Sequence, residues 1–287
     1  MNKLWWTQIR AIIRLEIRKT FFAKRGLWIY LLALAPVALF TMHTIVALRM
    51  QHMGRSGGPG SEGIGQMNFV FAGVFQFFFL RLAIFFGCLG IFMNLFRGEM
   101  LDKSLHFYLL APVRREVLLV GKYLAGLLAA IVIFSTSTAL QIVMLLAPYD
   151  SPAISHFLYQ SHGLEQIVAY LGVTVLACIG YGSVFLAAGL LFRNPIIPAA
   201  CVLIWEAANP VLPSVLKKIS VIYYLKSLCP VNIPLDPGMP PLIALLVSNA
   251  EPVAGYLAVL GLLVLAVVIL AASMKRVRRL EINYTTE

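Results

Sequence analysis

Six times along this chain, apolar residues run on for about the 20 positions that a helix needs to cross a hydrocarbon core, and no other feature restricts the possible folds as severely. The runs fall at about 27–48, 69–96, 118–147, 164–192, 196–212 and 253–274, the fifth being the shortest. A bilayer interior offers no water to backbone N–H and C=O groups, so such runs fold as helices, whose hydrogen bonds are internal. The expected fold class is an all-α membrane protein with six transmembrane helices. Composition agrees: 60% of the 287 residues are hydrophobic and only 12% are charged, a balance foreign to soluble globular domains. The first run is too long for a cleavable signal peptide and lacks a small-residue cleavage site.

Charge supplies an orientation. A net charge of +11 is compatible with nucleic-acid binding in general, but here Lys and Arg gather beside the apolar runs, where they act as topology signals. Seventeen lie in the N-terminal segment, the connection after the second run, the loop at Arg193 and the tail, against five in the other three loops. Both termini are then expected in the cytoplasm. The expected location is the cell membrane, plasma or inner, as a multi-pass protein with the lipid bilayer as partner and no nucleic acid. The resulting order is a cytoplasmic amphipathic helix over 1–26, a six-helix domain over 27–274 that includes a cytoplasmic connection at 97–117 and short outer-side helices at 213–252, and a cytoplasmic tail over 275–287.

At about 100° per residue, Lys3, Arg10, Arg14, Arg18 and Arg25 share one arc of the N-terminal segment, with Trp5, Ile9, Ile12 and Ile13 on the other side. This is the pattern of an interfacial helix whose basic face meets anionic headgroups or a partner. Glu16 interrupts the apolar arc. The second run holds ten Phe and, near its centre, Arg81. A central Arg costs about 2.5–3.5 kcal/mol on insertion scales, which the phenylalanines offset. Intramembrane charges normally face a bundle interior or an aqueous cavity. Glu206 is the one acid in a comparable apolar setting, so Arg81 and Glu206 are candidates for an intramembrane pair; the alternative is that each snorkels or lies at a boundary.

Ser137 and Gln141 share a helix face, a pattern that serves helix packing or substrate contact alike, and Gly172, Gly180, Gly182 and Gly189 in the fourth run allow close helix approach or local bending, packing being the leading reading for the glycines. Eight of the fifteen prolines fall between Pro210 and Pro252, around apolar stretches too short to span. These read as interfacial or re-entrant helices.

Recognisable catalytic chemistry is missing. There is no G-x-x-x-x-G-K-[ST], because Gly121-Lys122 lacks the upstream glycine of a phosphate cradle, and there is no HExxH or GxSxG. Cys88, Cys178, Cys201 and Cys229 have no metal-site spacing. The chain is expected not to be an enzyme, with no catalytic residue, cofactor or metal of its own.

The connection after the second run reads RGEMLDKSLHFYLLAPVRREVLLVGKYLAG from Arg97. Glu99 to Leu110 fits a short amphipathic helix that Pro112 ends, and its apolar Leu105, Phe107 and Tyr108 need a protein or lipid surface to cover them. An acidic and apolar segment, a Pro-x-Arg-like turn and a Gly-Lys opening the next run resemble the ABC-2 family of ABC-transporter permeases. The layout of the whole chain is similar to that family, although Arg81 maps to none of its signatures. The resemblance implies a permease that dimerises with itself or a homologue and binds ABC ATPase subunits, with ATP on the partner subunit. It further implies export of a substrate that ranges, across the family, over lipids, glycans, drugs, peptides and ions. The ATPase would dock on a coupling helix involving Arg97, Glu99, Asp102, Leu105, Phe107, Tyr108, Arg114 and Arg115. The other reading is a stand-alone secondary carrier or membrane scaffold.

Overall fold

The computed structural model describes residues 2–22, 26–54, 63–101, 114–192, 194, 196–233 and 253–278. Every regular element among them is helical. In chain order they are α1 (Asn2–Phe22), α2 (Leu27–His52), α3 (Ile64–Gly73), a π-helical stretch (Val74–Ile84), α4 (Phe85–Leu101), α5 (Arg115–Leu146), α6 (Ser151–Gln160), α7 (Gly163–Leu191), α8 (Ile196–Ala208), a 3-10 turn (Asn209–Val211), α9 (Ser214–Lys217), α10 (Val221–Leu228) and α11 (Gly255–Arg278).

Among the described residues, five helices are long and apolar enough to cross a membrane: α2, the rod Ile64–Phe96 that runs from α3 into α4, α5, α7 and α11. Six were expected. The difference lies at 196–212, where α8 has 13 residues. At about 1.5 Å per residue that is roughly 20 Å of rise, short of a hydrocarbon core of about 30 Å. Pro210 follows in the 3-10 turn, where its missing N–H ends the α-helical ladder.

The phenylalanines of the second run form the core more than they face its surroundings. Phe71, Phe75, Phe79, Phe85 and Phe92 are fully buried, while Phe69 and Phe77 are exposed. Phe71 and Phe75 meet the ring of Tyr170 on α7 edge-on at 4.9 and 4.8 Å, and Phe85 meets Phe185 at 5.0 Å. Such edge-to-face pairs use the ring quadrupole as well as apolar burial. Polar side chains tie the helices where they cross. The buried Ser137 hydroxyl donates to the Ala33 carbonyl on α2, and Gln141 donates to Ser137 at 3.1 Å. Thr138 and Thr174 join α5 to α7 at 3.1 Å, and Thr44 donates to the Met144 carbonyl at 2.6 Å. Ser137 therefore ties α5 to α2, and Gln141 supports it from one turn further along α5.

Small residues let α7 approach its neighbours. A Cβ at Gly189 would lie 3.1 Å from both the Cα and the carbonyl oxygen of Met93, so the obstacle is the backbone of α4; at Gly172 nothing lies within 4 Å. Gly189→Leu is expected to push α4 from α7 and to cost about 1–3 kcal/mol or more, the usual penalty of overpacking. Gly172→Ala is expected to be neutral or stabilising by up to about 1 kcal/mol through helix propensity. Thermal unfolding of the two purified variants checks the contrast.

Candidate functional site

Two polar assemblies stand out from an otherwise apolar bundle. The first lies at the bundle end where α1, the last turns of α4, the first turns of α5 and the last turns of α11 meet. Its centre is Lys122, fully buried on α5. The Lys122 ammonium donates to Glu16 Oε1 at 2.6 Å and to the Leu95 carbonyl of α4 at 2.8 Å, and stands 5.5 Å from the ring centroid of Phe96. One cation therefore joins three helices.

Glu16 is itself buried, which explains why an acid interrupts the apolar arc of α1. That arc faces α5, not an open lipid surface: Ile12, one turn before Glu16, packs on Gly121, one residue before Lys122. A Cβ at Gly121 would stand 3.0 Å from Ile12 Cγ2, so the glycine sets the distance at which the ion pair closes. Around this centre, the Arg114 guanidinium lies 5.2 Å over the Trp5 ring of α1, a cation–π contact. Arg115 donates to the Arg278 carbonyl at 3.1 Å, and Arg278 Nε bonds Glu116 at 2.5 Å, fastening the end of α11 to the start of α5.

Of the residues expected to form the coupling region, Arg114 and Arg115 thus sit at this junction. Arg97 and Glu99 belong to the last turns of α4. Asp102, Leu105, Phe107 and Tyr108 lie outside the described residues.

The second assembly centres on Glu206 of α8. Its carboxylate accepts from the Ser220 hydroxyl at 2.8 Å and from the backbone N–H groups of Val221 at 3.0 Å and Ile222 at 2.8 Å. These are the first N–H groups of α10, which have no partner inside their own helix. Depth explains why they need an anionic one. Val221 packs against Gly180, near the middle of α7, and close to Leu262, whereas Leu228 at the other end of α10 neighbours Gly255 at the start of α11. Gly255 to Leu262 is about 10 Å along a helix at about 1.5 Å per residue, so α10 begins well inside the bundle and runs back toward its opposite end. A helix that starts away from water needs an internal acceptor at its N-terminus, and a carboxylate there also answers the helix dipole. Glu206 is that acceptor.

Arg81, in the π-helical stretch, lies in the same part of the bundle as Glu206 and Lys226 of α10, near enough for their charges to act on one another. The oxygens of the Glu206 carboxylate are engaged by Ser220 and the start of α10, and Arg81 is not among their hydrogen-bond partners. A charge swap, Arg81→Glu with Glu206→Arg, is therefore expected to fail to restore folding, because an arginine cannot accept from Val221 and Ile222. Stability of the single and double variants in detergent checks this; recovery in the double variant would show that the ion pair dominates.

Lys122 and the capping role of Glu206 are not among the expected site features. The signals were present: Lys122 and Glu16 are opposite charges in apolar settings on two segments, and Ser220 stands before the apolar VIYYLKSL as an N-cap does. Among the described residues, no group of His, Cys, Asp and Glu is placed to hold a metal ion. Compared with protein-family models and with curated proteins, the chain matches none.

Proposed function

We propose that this chain is the membrane-spanning subunit of an ATP-driven transporter of the ABC-2 permease type, an exporter that works as a dimer and takes its energy from a separate ATPase subunit. On this reading it has six crossings, the short α8 and its 3-10 turn completing the fifth, and both termini are cytoplasmic. The observation that carries the proposal is the Lys122 junction. The segment 97–117, which the resemblance assigns to ATPase docking, joins α4 to α5 in the chain, and Lys122 clamps those two helices to each other and to α1. A loop with no mechanical task does not require a buried ion pair at its base, since such a pair contributes little net stability over apolar packing.

A push on the docking segment would reach α4 and α5 together. From α4 it would pass to α7 through the close contacts at Gly182 and Gly189. Packed interfaces of this kind move as bodies between discrete arrangements and do not deform smoothly, as alternating access requires. The Arg81, Glu206 and Lys226 assembly would then lie on or beside the path of the substrate, as intramembrane charges commonly do.

The test is separation of assembly from coupling. Glu99→Ala and Asp102→Ala are expected to leave the ATPase complex able to form while lowering ATP-dependent transport at least about tenfold, a loss of about 1.4 kcal/mol of coupling. Unchanged transport in both variants would remove the docking role from this segment. Arg115 is less diagnostic than these, because it also fastens α11.

A further inference from the structure

We propose that the groove between the C-terminal ends of α7 and α11 binds an anionic phospholipid. The inference rests on the membrane-spanning reading but not on ATP-driven transport. The two helix ends leave a cavity of about 740 Å³ with an apolar wall that includes Ala187, Leu190 and Ala272, and with Lys275, Arg276 and Arg278 along its α11 side. Arg278 is engaged by Glu116, and Glu116 is the acid that this end of α5 brings to α11. Lys275 and Arg276 are exposed, and neither has an acidic partner among the described residues.

One and two turns before Ala272 on the same face of α11, Val268 and Val264 are exposed as well. A ligand that suits both halves must carry acyl chain against the wall and negative charge beside Lys275 and Arg276. A zwitterionic lipid would leave the two cations without a net counter-charge, and a free phosphate would leave the wall uncovered. An anionic glycerophospholipid satisfies both, and basic residues at the end of a membrane helix are where such headgroups are held. The groove lies at the same bundle end as the Lys122 junction, beside the Glu116–Arg278 link.

The experiment uses the full chain in detergent, titrated with phosphatidylglycerol, phosphatidylcholine or inorganic phosphate, with bound lipid counted by native mass spectrometry and thermal unfolding followed in parallel. Phosphatidylglycerol is expected to bind at least tenfold more tightly than phosphatidylcholine and to raise the unfolding temperature, with inorganic phosphate doing neither. Lys275→Gln with Arg276→Gln should abolish that preference while leaving lipid-free unfolding unchanged, and Ala272→Trp, which fills the wall, should weaken binding with both cations intact. Equal binding of the two lipids, a preference that survives in the double variant, or protection by inorganic phosphate alone would each overturn the proposal.

Discussion

Replacing Lys122 with methionine is expected to destabilise the chain by about 3–5 kcal/mol, the range seen when one partner of a buried ion pair is removed and the other is left as an uncompensated charge. Methionine keeps most of the volume of the lysine stem, so the effect reports the ammonium and not a cavity. It takes the ammonium away from the buried Glu16 carboxylate and removes the donor to the Leu95 carbonyl. The least costly relief is for α1 to detach from α5, because that returns Glu16 to water. Trypsin cleavage at Arg10 and Arg14, both exposed on α1, should therefore quicken together with the loss of thermal stability. The double variant Glu16→Leu with Lys122→Met removes both charges and should recover most of the stability, as apolar replacement of buried pairs often does. If it recovers stability but not transport, the pair serves coordination between α1, α4 and α5 more than folding.

The second large effect is expected at Glu206. Glu206→Ala strands the N–H groups of Val221 and Ile222 and the Ser220 hydroxyl inside the bundle. At about 1–3 kcal/mol for each unsatisfied buried group, the loss is at least about 3 kcal/mol unless α10 withdraws toward the bundle end. Withdrawal would expose Val221 and Leu225, which are buried. Glu206→Gln keeps one acceptor oxygen but turns an N–H donor toward other donors, so it should be intermediate. Thermal unfolding ranks the three proteins; accessibility of a cysteine placed at Leu225 to a membrane-impermeant thiol reagent, tested on a background in which Cys201, which is exposed, and Cys229 are serine, reports whether α10 has moved.

Much of the helical layout was legible because apolar length is a direct consequence of bilayer thickness. The run expected at 118–147 corresponds to α5 at Arg115–Leu146, and that at 253–274 to α11 at Gly255–Arg278. The same criterion runs 196–212 together as one helix, because hydropathy counts apolar residues and does not see that α8 gives way to a 3-10 turn at Asn209 and Pro210. The phenylalanines offset the cost of inserting Arg81, yet Phe71, Phe75, Phe79 and Phe85 face Tyr170, Phe134 and Phe185 inside the bundle. Periodicity in a wholly apolar run does not distinguish a lipid-facing ring from a buried one. The π-helical stretch at Val74–Ile84 has no sequence pattern of its own, since its wider turn is fixed by what the neighbouring helices demand. Glu16 and Lys122 could be identified as odd separately, but their pairing spans 106 positions and becomes visible only when α1 is folded onto α5.

Energy supply is the point on which the transporter and the stand-alone readings part. The decisive measurement is purification of the full chain from its native membranes in mild detergent, followed by reconstitution and assay of ATP hydrolysis and transport. The expected result is a complex in which an ATPase subunit with its own G-x-x-x-x-G-K-[ST] accompanies the chain, hydrolyses ATP, and dissociates or uncouples when residues 97–117 are altered. A chain that purifies without any ATPase and carries substrate across proteoliposomes on an ion gradient alone would contradict it.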